Sequence, residues 1–219
     1  MATTASTTAD TSLASVTLEV ADLEAARRFY SAFGVDTYLR LRVSEAHSTG
    51  FRGFTLGLTV SGPATVDGFF GAAVDAGATV LKPAEKSLWG YSGVVQAPDG
   101  TIWKIATSAK KDTGPATRVI DDVVLLLGVE AVKATKQFYL GRGMTVAKSF
   151  GAKYVEFAPG QSSPVRMALY KRRALAKDLG VPVDGTGSHR IVLGSTADAF
   201  TDPDGFVWEA VASPAPTPS

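Results

Sequence analysis

The stretches APDGTIWKI (residues 97–105) and DPDGFVWEA (202–210) are two versions of one nine-residue pattern in a chain of 219 residues. The residues after the two tryptophans, Lys104 and Glu209, are 105 positions apart. In each copy Pro sets the φ of a turn's second position and Gly tolerates its last, so each reads as a hairpin turn entering a strand. A second pair keeps nearly the same spacing. VTLEVADLEAARRFY (16–30) matches LLLGVEAVKATKQFY (125–139), with Tyr30 and Tyr139 separated by 109. Each half therefore opens with strand and helix and closes with turn and strand, and a repeat of this length sets the architecture.

Local patterns fill in the modules. Val16, Leu18 and Val20 alternate with Ser15, Thr17 and Glu19, the period of a strand. Asp22 caps a helix with Leu23, Ala26, Phe29, Tyr30 and Phe33 on one face, and Gly34 stops it. Strands are expected at 37–43 and 54–60, a helix at 63–77, and a hairpin about Pro98-Asp99-Gly100. The second half has strands at 122–127, 145–149, 153–157 and 165–170, a helix near 131–140, and a short helix ending at Gly180. Thr55 to Lys104 spans 49 residues, but His189 to Glu209 only 20, so the fourth module lacks its crossover helix. The expected divisions are polar, disordered tails at 1–12 and 213–219, paired-module domains at 13–108 and 118–212, and a linker at 109–117 broken by Gly114-Pro115.

Composition narrows the function classes. A net charge of +1 gives no bias toward nucleic acid or an anionic membrane, and the runs at 110–111 and 171–173 are short solvated charge. Without cysteine there is no disulfide, thiolate metal site or Cys nucleophile. No apolar run approaches the roughly 20 residues that span a bilayer. A cytoplasmic protein is expected. There is no Gly-rich phosphate loop and no G-x-S-x-G elbow, and His47 and His189 are the only histidines available as bases.

The paired modules closed by DPDG-x-x-x-E resemble the vicinal oxygen chelate superfamily, which includes glyoxalase I, extradiol dioxygenases, fosfomycin resistance enzymes and bleomycin-binding proteins. The resemblance runs from Leu13 to Ala212. It implies an α+β fold of tandem βαβββ modules, with two curved, cup-shaped sheets and helices outside. It also implies a divalent ion at a cup's base, held by a first-strand His or Glu and by the Glu after DPDG. The corresponding first-half positions, Ser15, Thr55 and Lys104, suit no metal. In the second half Asp122, His189 and Glu209 form a candidate set for Fe, Mn, Ni or Zn. The ungapped alignment places Val124, rather than Asp122, at the ligand position, and a fourth position falls at Ala168. In the alternative reading of the same residues, His189 makes a strand-edge hydrogen bond, Glu209 pairs with Arg166, and Lys104 pairs with Glu19.

Trp89, Tyr91, Lys104, Arg166 and Tyr170 are the candidate contacts for a small molecule, since aromatic walls with a few polar anchors make such sites. Trp103 and Trp208 have the opposite parity and belong outside, Trp103 under a helix and Trp208 partly uncovered. The first functional reading is a glyoxalase-like or bleomycin-resistance-like protein that binds, or transforms without metal, a small organic molecule. The second is a metal-dependent lyase or dioxygenase. The third is a protein-interaction module or homodimer docking on the sheet face left bare, with Arg190 marking that face as polar.

Overall fold

The Asp22 carboxylate accepts the Ala25 amide at 2.9 Å, and this cap turns β1 (Leu13–Val20) directly into α1 (Leu23–Phe33). Gly34 ends the helix at φ 89°, a left-handed conformation that glycine adopts without a Cβ clash. The structure, a computed structural model, describes residues 11–160 and 163–211; the expected tails lie outside these apart from residues 11 and 12.

The first module continues with β2 (Arg40–Val43) and β3 (Ser48–Gly50). The second is β4 (Phe54–Thr59), α2 (Pro63–Asp75), β5 (Thr79–Ser87), β6 (Gly90–Gln96) and β7 (Ile102–Thr107). The third is β8 (Asp122–Val129), α3 (Val132–Gly141), β9 (Val146–Phe150), β10 (Tyr154–Phe157) and β11 (Arg166–Lys171). Then follow α4 (Arg172–Leu179), β12 (Gly185–Gly187) and a helix-free fourth module of β13 (Ile191–Ser195), β14 (Phe200–Thr201) and β15 (Val207–Ala210). None of these helices is long and apolar enough to cross a membrane.

The modules pair across the halves. Eight strands run in the order β5-β6-β7-β4-β8-β11-β10-β9, joining the second and third modules. Five run β14-β15-β13-β1-β2, joining the first and fourth, and β12 with β3 makes a two-stranded ribbon. The segments 13–108 and 118–212 are therefore not separate paired sheets: β4 lies antiparallel on β8, with Gly57 opposite Val124. The smaller sheet is short on both flanks. β2 lies parallel on β1, as β11 lies on β8, without the two outer strands that β10 and β9 supply in the larger sheet.

Trp103 and Trp208 are both fully buried, at 0 and 1 % exposure, which corrects the expected partial exposure of Trp208. Phe200 stacks on Trp208 at 5.0 Å, and the Trp208 indole donates to the Tyr139 hydroxyl at 3.2 Å. Arg190 is likewise buried instead of marking a polar face. At φ 55° its side chain donates to the carbonyls of Glu19, Ser44 and Ala46, clipping the chain after β2 to the end of β1.

Two buried hydroxyls tie the sheets together. Tyr30 of α1 donates to Asp99 in the turn before β7 at 2.6 Å, and Tyr139 of α3 donates to Asp202 before β15 at 2.6 Å. Burial pushes both phenols well above their ordinary range, so they remain donors. Burial also raises the Asp202 carboxyl above 3.8, opposed by the Tyr139 hydroxyl and backbone amides.

The native state therefore keeps a proton on Asp202 at pH values where the unfolded chain has released it. Stability falls as pH rises from the unfolded value of 3.8 through the higher native one. Urea unfolding from about pH 3.5 to about pH 7 is expected to show this decline, and Asp202→Asn to flatten it. Tyr139→Phe is expected to cost about 1.5–3 kcal/mol, the range for hydrogen bonds to charged groups.

Candidate small-molecule site

Side chains alternate along each strand of the eight-stranded sheet, so Trp103 and Leu56 face α2 while Ile102, Lys104 and Val94 face the concave side. Three helices cover the outside, as expected, but α4 lies within the cup. Its Leu175, Ala176 and Leu179 are buried with Phe51, Val94 and Ile102, and Leu126 and Tyr170 pack at the margin. The approach is close at Gly128. A Cβ there would sit 2.9 Å from the Gly53 carbonyl oxygen and 3.2 Å from both Arg172 Cα and Leu175 Cδ2.

A pocket of about 250 Å³ remains beside α4, between the β5–β6 hairpin and β7. Lys104 stands on its floor, with Nζ 2.7 Å from the Asp178 carboxylate of α4. The Lys82 ammonium donates to the Asp178 carbonyl, at the helix end where the backbone dipole attracts cations. Trp89 is at the hairpin tip, 84 % exposed, and lines the mouth. Tyr91 is among the lining residues, but strand parity turns its ring to the helix side, where its hydroxyl donates to Asp67 of α2 at 2.8 Å.

Arg166 and Tyr170 lie on β11, separated from Lys104 on β7 by the two strands β4 and β8, and belong to another cluster. Arg166 Nε is 3.1 Å from Asp122, and Arg166 Nη1 is 3.4 Å from Glu156. Tyr154 donates to Glu156 at 3.1 Å and meets Tyr170 ring to ring at 6.3 Å. Desolvation raises the Asp122 carboxyl, while Arg166 opposes the shift. Desolvation and the adjacent Glu156 charge raise the Tyr154 phenol. Glu156 went unnoticed in the sequence. Its two-residue spacing from Tyr154 was visible there, but its burial depends on distant strands.

The ladders test the metal set directly. Glu209 is opposite Gly194, as Lys104 is opposite Gly57, so these four positions correspond. His189 is five residues before Gly194, and its counterpart is Arg52, five before Gly57. The two do the same work. Arg52 donates to the Asp99 carbonyl, and His189 Nε2 contacts the Asp204 carbonyl at 3.1 Å. His189 Nδ1 faces the Arg52 carbonyl, and its ring stacks on Phe206 at 4.1 Å. Both ring nitrogens are thus turned toward backbone carbonyls and away from Glu209, which pairs with Arg42.

Val124 is opposite Gly57 and Ser15 opposite Gly194, which upholds the ungapped alignment and places Asp122 farther along β8. Glu209 accepts two bonds from Arg42, at 2.9 and 3.0 Å, and Arg42 also donates to Glu19 at 2.7 Å. Neither the Glu209–Arg166 nor the Lys104–Glu19 pair forms. Asp122 and Glu209 lie on different sheets, and no group of three His, Asp or Glu among the described residues is placed to hold a metal. At the family's ligand positions one cup presents Ser15, Gly194, Glu209 and Arg40, and the other presents Val124, Gly57, Lys104 and Ala168. A single carboxylate among cations and apolar groups does not fit a divalent ion.

The sequence matches no protein-family model and no curated protein. Solved structures do match. Glyoxalase I from Zea mays is 13 % identical with a TM-score of 0.57, and the match covers 91 % of each chain. A putative dioxygenase from Bacillus subtilis subsp. subtilis str. 168 is 9 % identical with a TM-score of 0.53, covering 90 % of this chain and 83 % of that one. The chain has the vicinal oxygen chelate superfamily fold. At these identities the likeness is one of fold.

The seating of α4 is tested at Gly128. Gly128→Ala is expected to cost about 1–3 kcal/mol in urea unfolding, because the added methyl meets backbone on one side and Leu175 on the other. Leu175→Ala is expected to cost about 2–5 kcal/mol.

Proposed function

We propose that this chain binds a small organic molecule, without a resident metal ion, in the pocket between the β5–β6 hairpin, β7 and the end of α4. One observation carries the reading. At the position where the fold family places a closing carboxylate, Lys104 projects into a pocket with an exposed tryptophan at its mouth. A partly buried lysine with its ammonium held by Asp178 gives a polar anchor beside the apolar Val94 and Ala106, the usual character of a small-molecule site. A volume of about 250 Å³ suits a ligand of one or two rings. The donor set at both cups argues against the metal-dependent lyase or dioxygenase reading.

Amide NMR spectra recorded with mixtures of one- and two-ring compounds test this. Shifts are expected at 87–92, 104–107 and Asp178. Additions of Mn, Ni, Zn or Fe(II) salts are expected to leave the spectrum and the melting temperature unchanged. Ligand shifts centred on Arg42 and Glu209, or one equivalent of tightly bound metal removed by Glu209→Gln, would overturn the reading.

A further inference from the structure

The geometry points to a specific ligand class for this pocket: a compact aromatic anion whose carboxylate replaces that of Asp178 on Lys104. The inference rests on the pocket's being the binding site. Its first support is that the floor charge is cationic. The Lys104 side chain is 28 % exposed, less than its partner Asp178 at 45 %, and Glu85 stands exposed on the rim. Lys82 brings a second ammonium to the same end of α4. The ion pair between Lys104 and Asp178 thus displays, within the chain, the contact that a ligand carboxylate would make.

Exchange is feasible because α4 does not depend on that ion pair. Leu175, Ala176 and Leu179 hold it in the cup, Lys82 binds its last carbonyls, and Gly180 closes it at φ 77°. The Asp178 side chain can therefore rotate away while the helix stays seated. An ammonium has three donors, and Asp178 takes one, so an incoming carboxylate can bind Lys104 before Asp178 leaves. Trp89 at the mouth supplies an aromatic face for the body of the ligand.

The test uses three probes of one shape: 2-naphthoate, 2-naphthamide and 2-naphthylmethylammonium. Trp89 is the reporter, since Trp103 and Trp208 are buried, and Trp89→Phe is the fluorescence control. Calorimetry on the full chain gives the affinities. Naphthoate is expected to bind about tenfold or more tighter than the amide, and Lys104→Met to erase that preference. Asp178→Asn is expected to tighten naphthoate about two- to fivefold by removing the competing carboxylate, with the amide unchanged. Should Lys104→Met fail to fold, the Asp178→Asn result and the ranking of the probes decide. If the amide or the ammonium binds in this pocket as tightly as naphthoate, the charge assignment is wrong and the pocket stands. If no probe perturbs Trp89 or the pocket amides, both the charge assignment and the pocket reading fall.

Discussion

Two buried tyrosine–carboxylate bonds hold this fold in its crossed arrangement. Tyr30 rides on α1, which packs against β2 of the five-stranded sheet, and its hydroxyl reaches Asp99 in a turn of the eight-stranded sheet. Tyr139 rides on α3, which packs on β10 and β11 of the eight-stranded sheet, and it reaches Asp202 beside the five-stranded one. Each bond therefore joins a helix from one sheet to a turn of the other. Phenols as enclosed as Tyr30 and Tyr139 are costly without an acceptor, and the buried Asp202 is costly without a donor. Each contact meets the phenol's need, and the second meets that of Asp202 as well. The duplicated turns APDG and DPDG are where the two sheets are fastened.

That fastening frees the strand faces to change. In the five-stranded sheet the guanidinium of Arg42 lies between Glu19 and Glu209, a cation supplied by the chain itself. In the eight-stranded sheet Lys104 takes the closing position and finds Asp178, and Arg166 lies between Asp122 and Glu156. Each carboxylate that a metal would need is already paired with a basic side chain. A divalent ion would have to displace those partners and then find further donors among Ser15, Gly194 and Val124.

The sequence carried the local structure well because local structure depends on near neighbours. Alternation from Ser15 to Val20, the Asp22 cap and the Gly34 stop all follow from residues a few positions apart. The 109-residue offset between the tyrosines also identified Val124 as the counterpart of Ser15, as the ladders show. Which module pairs with which is decided between strands far apart in the chain, and no local pattern records it. His189 was misplaced by three positions. The shortened fourth module has no helix from which to count, so its equivalence to Arg52 emerges only from the register of β13 with β15. Tyr91 was legible in principle. It shares parity with Gly93 and Val95, which face α2, so its ring belongs on that side.

The insertion of α4 links the size of the pocket to its charge. The helix covers Val94 and Ile102, which would otherwise line a wide wet cup, and it leaves only the margin beside β7 open. Its last turn also brings Asp178 to Lys104, so the lysine's charge is balanced from within the chain. A looser helix would enlarge the cavity and at the same time withdraw the counter-charge, leaving an ammonium among apolar groups. Close packing at Gly128 therefore sets both properties at once. It fixes how far α4 descends into the cup, and through that depth it fixes how near Asp178 stands to the lysine it neutralises.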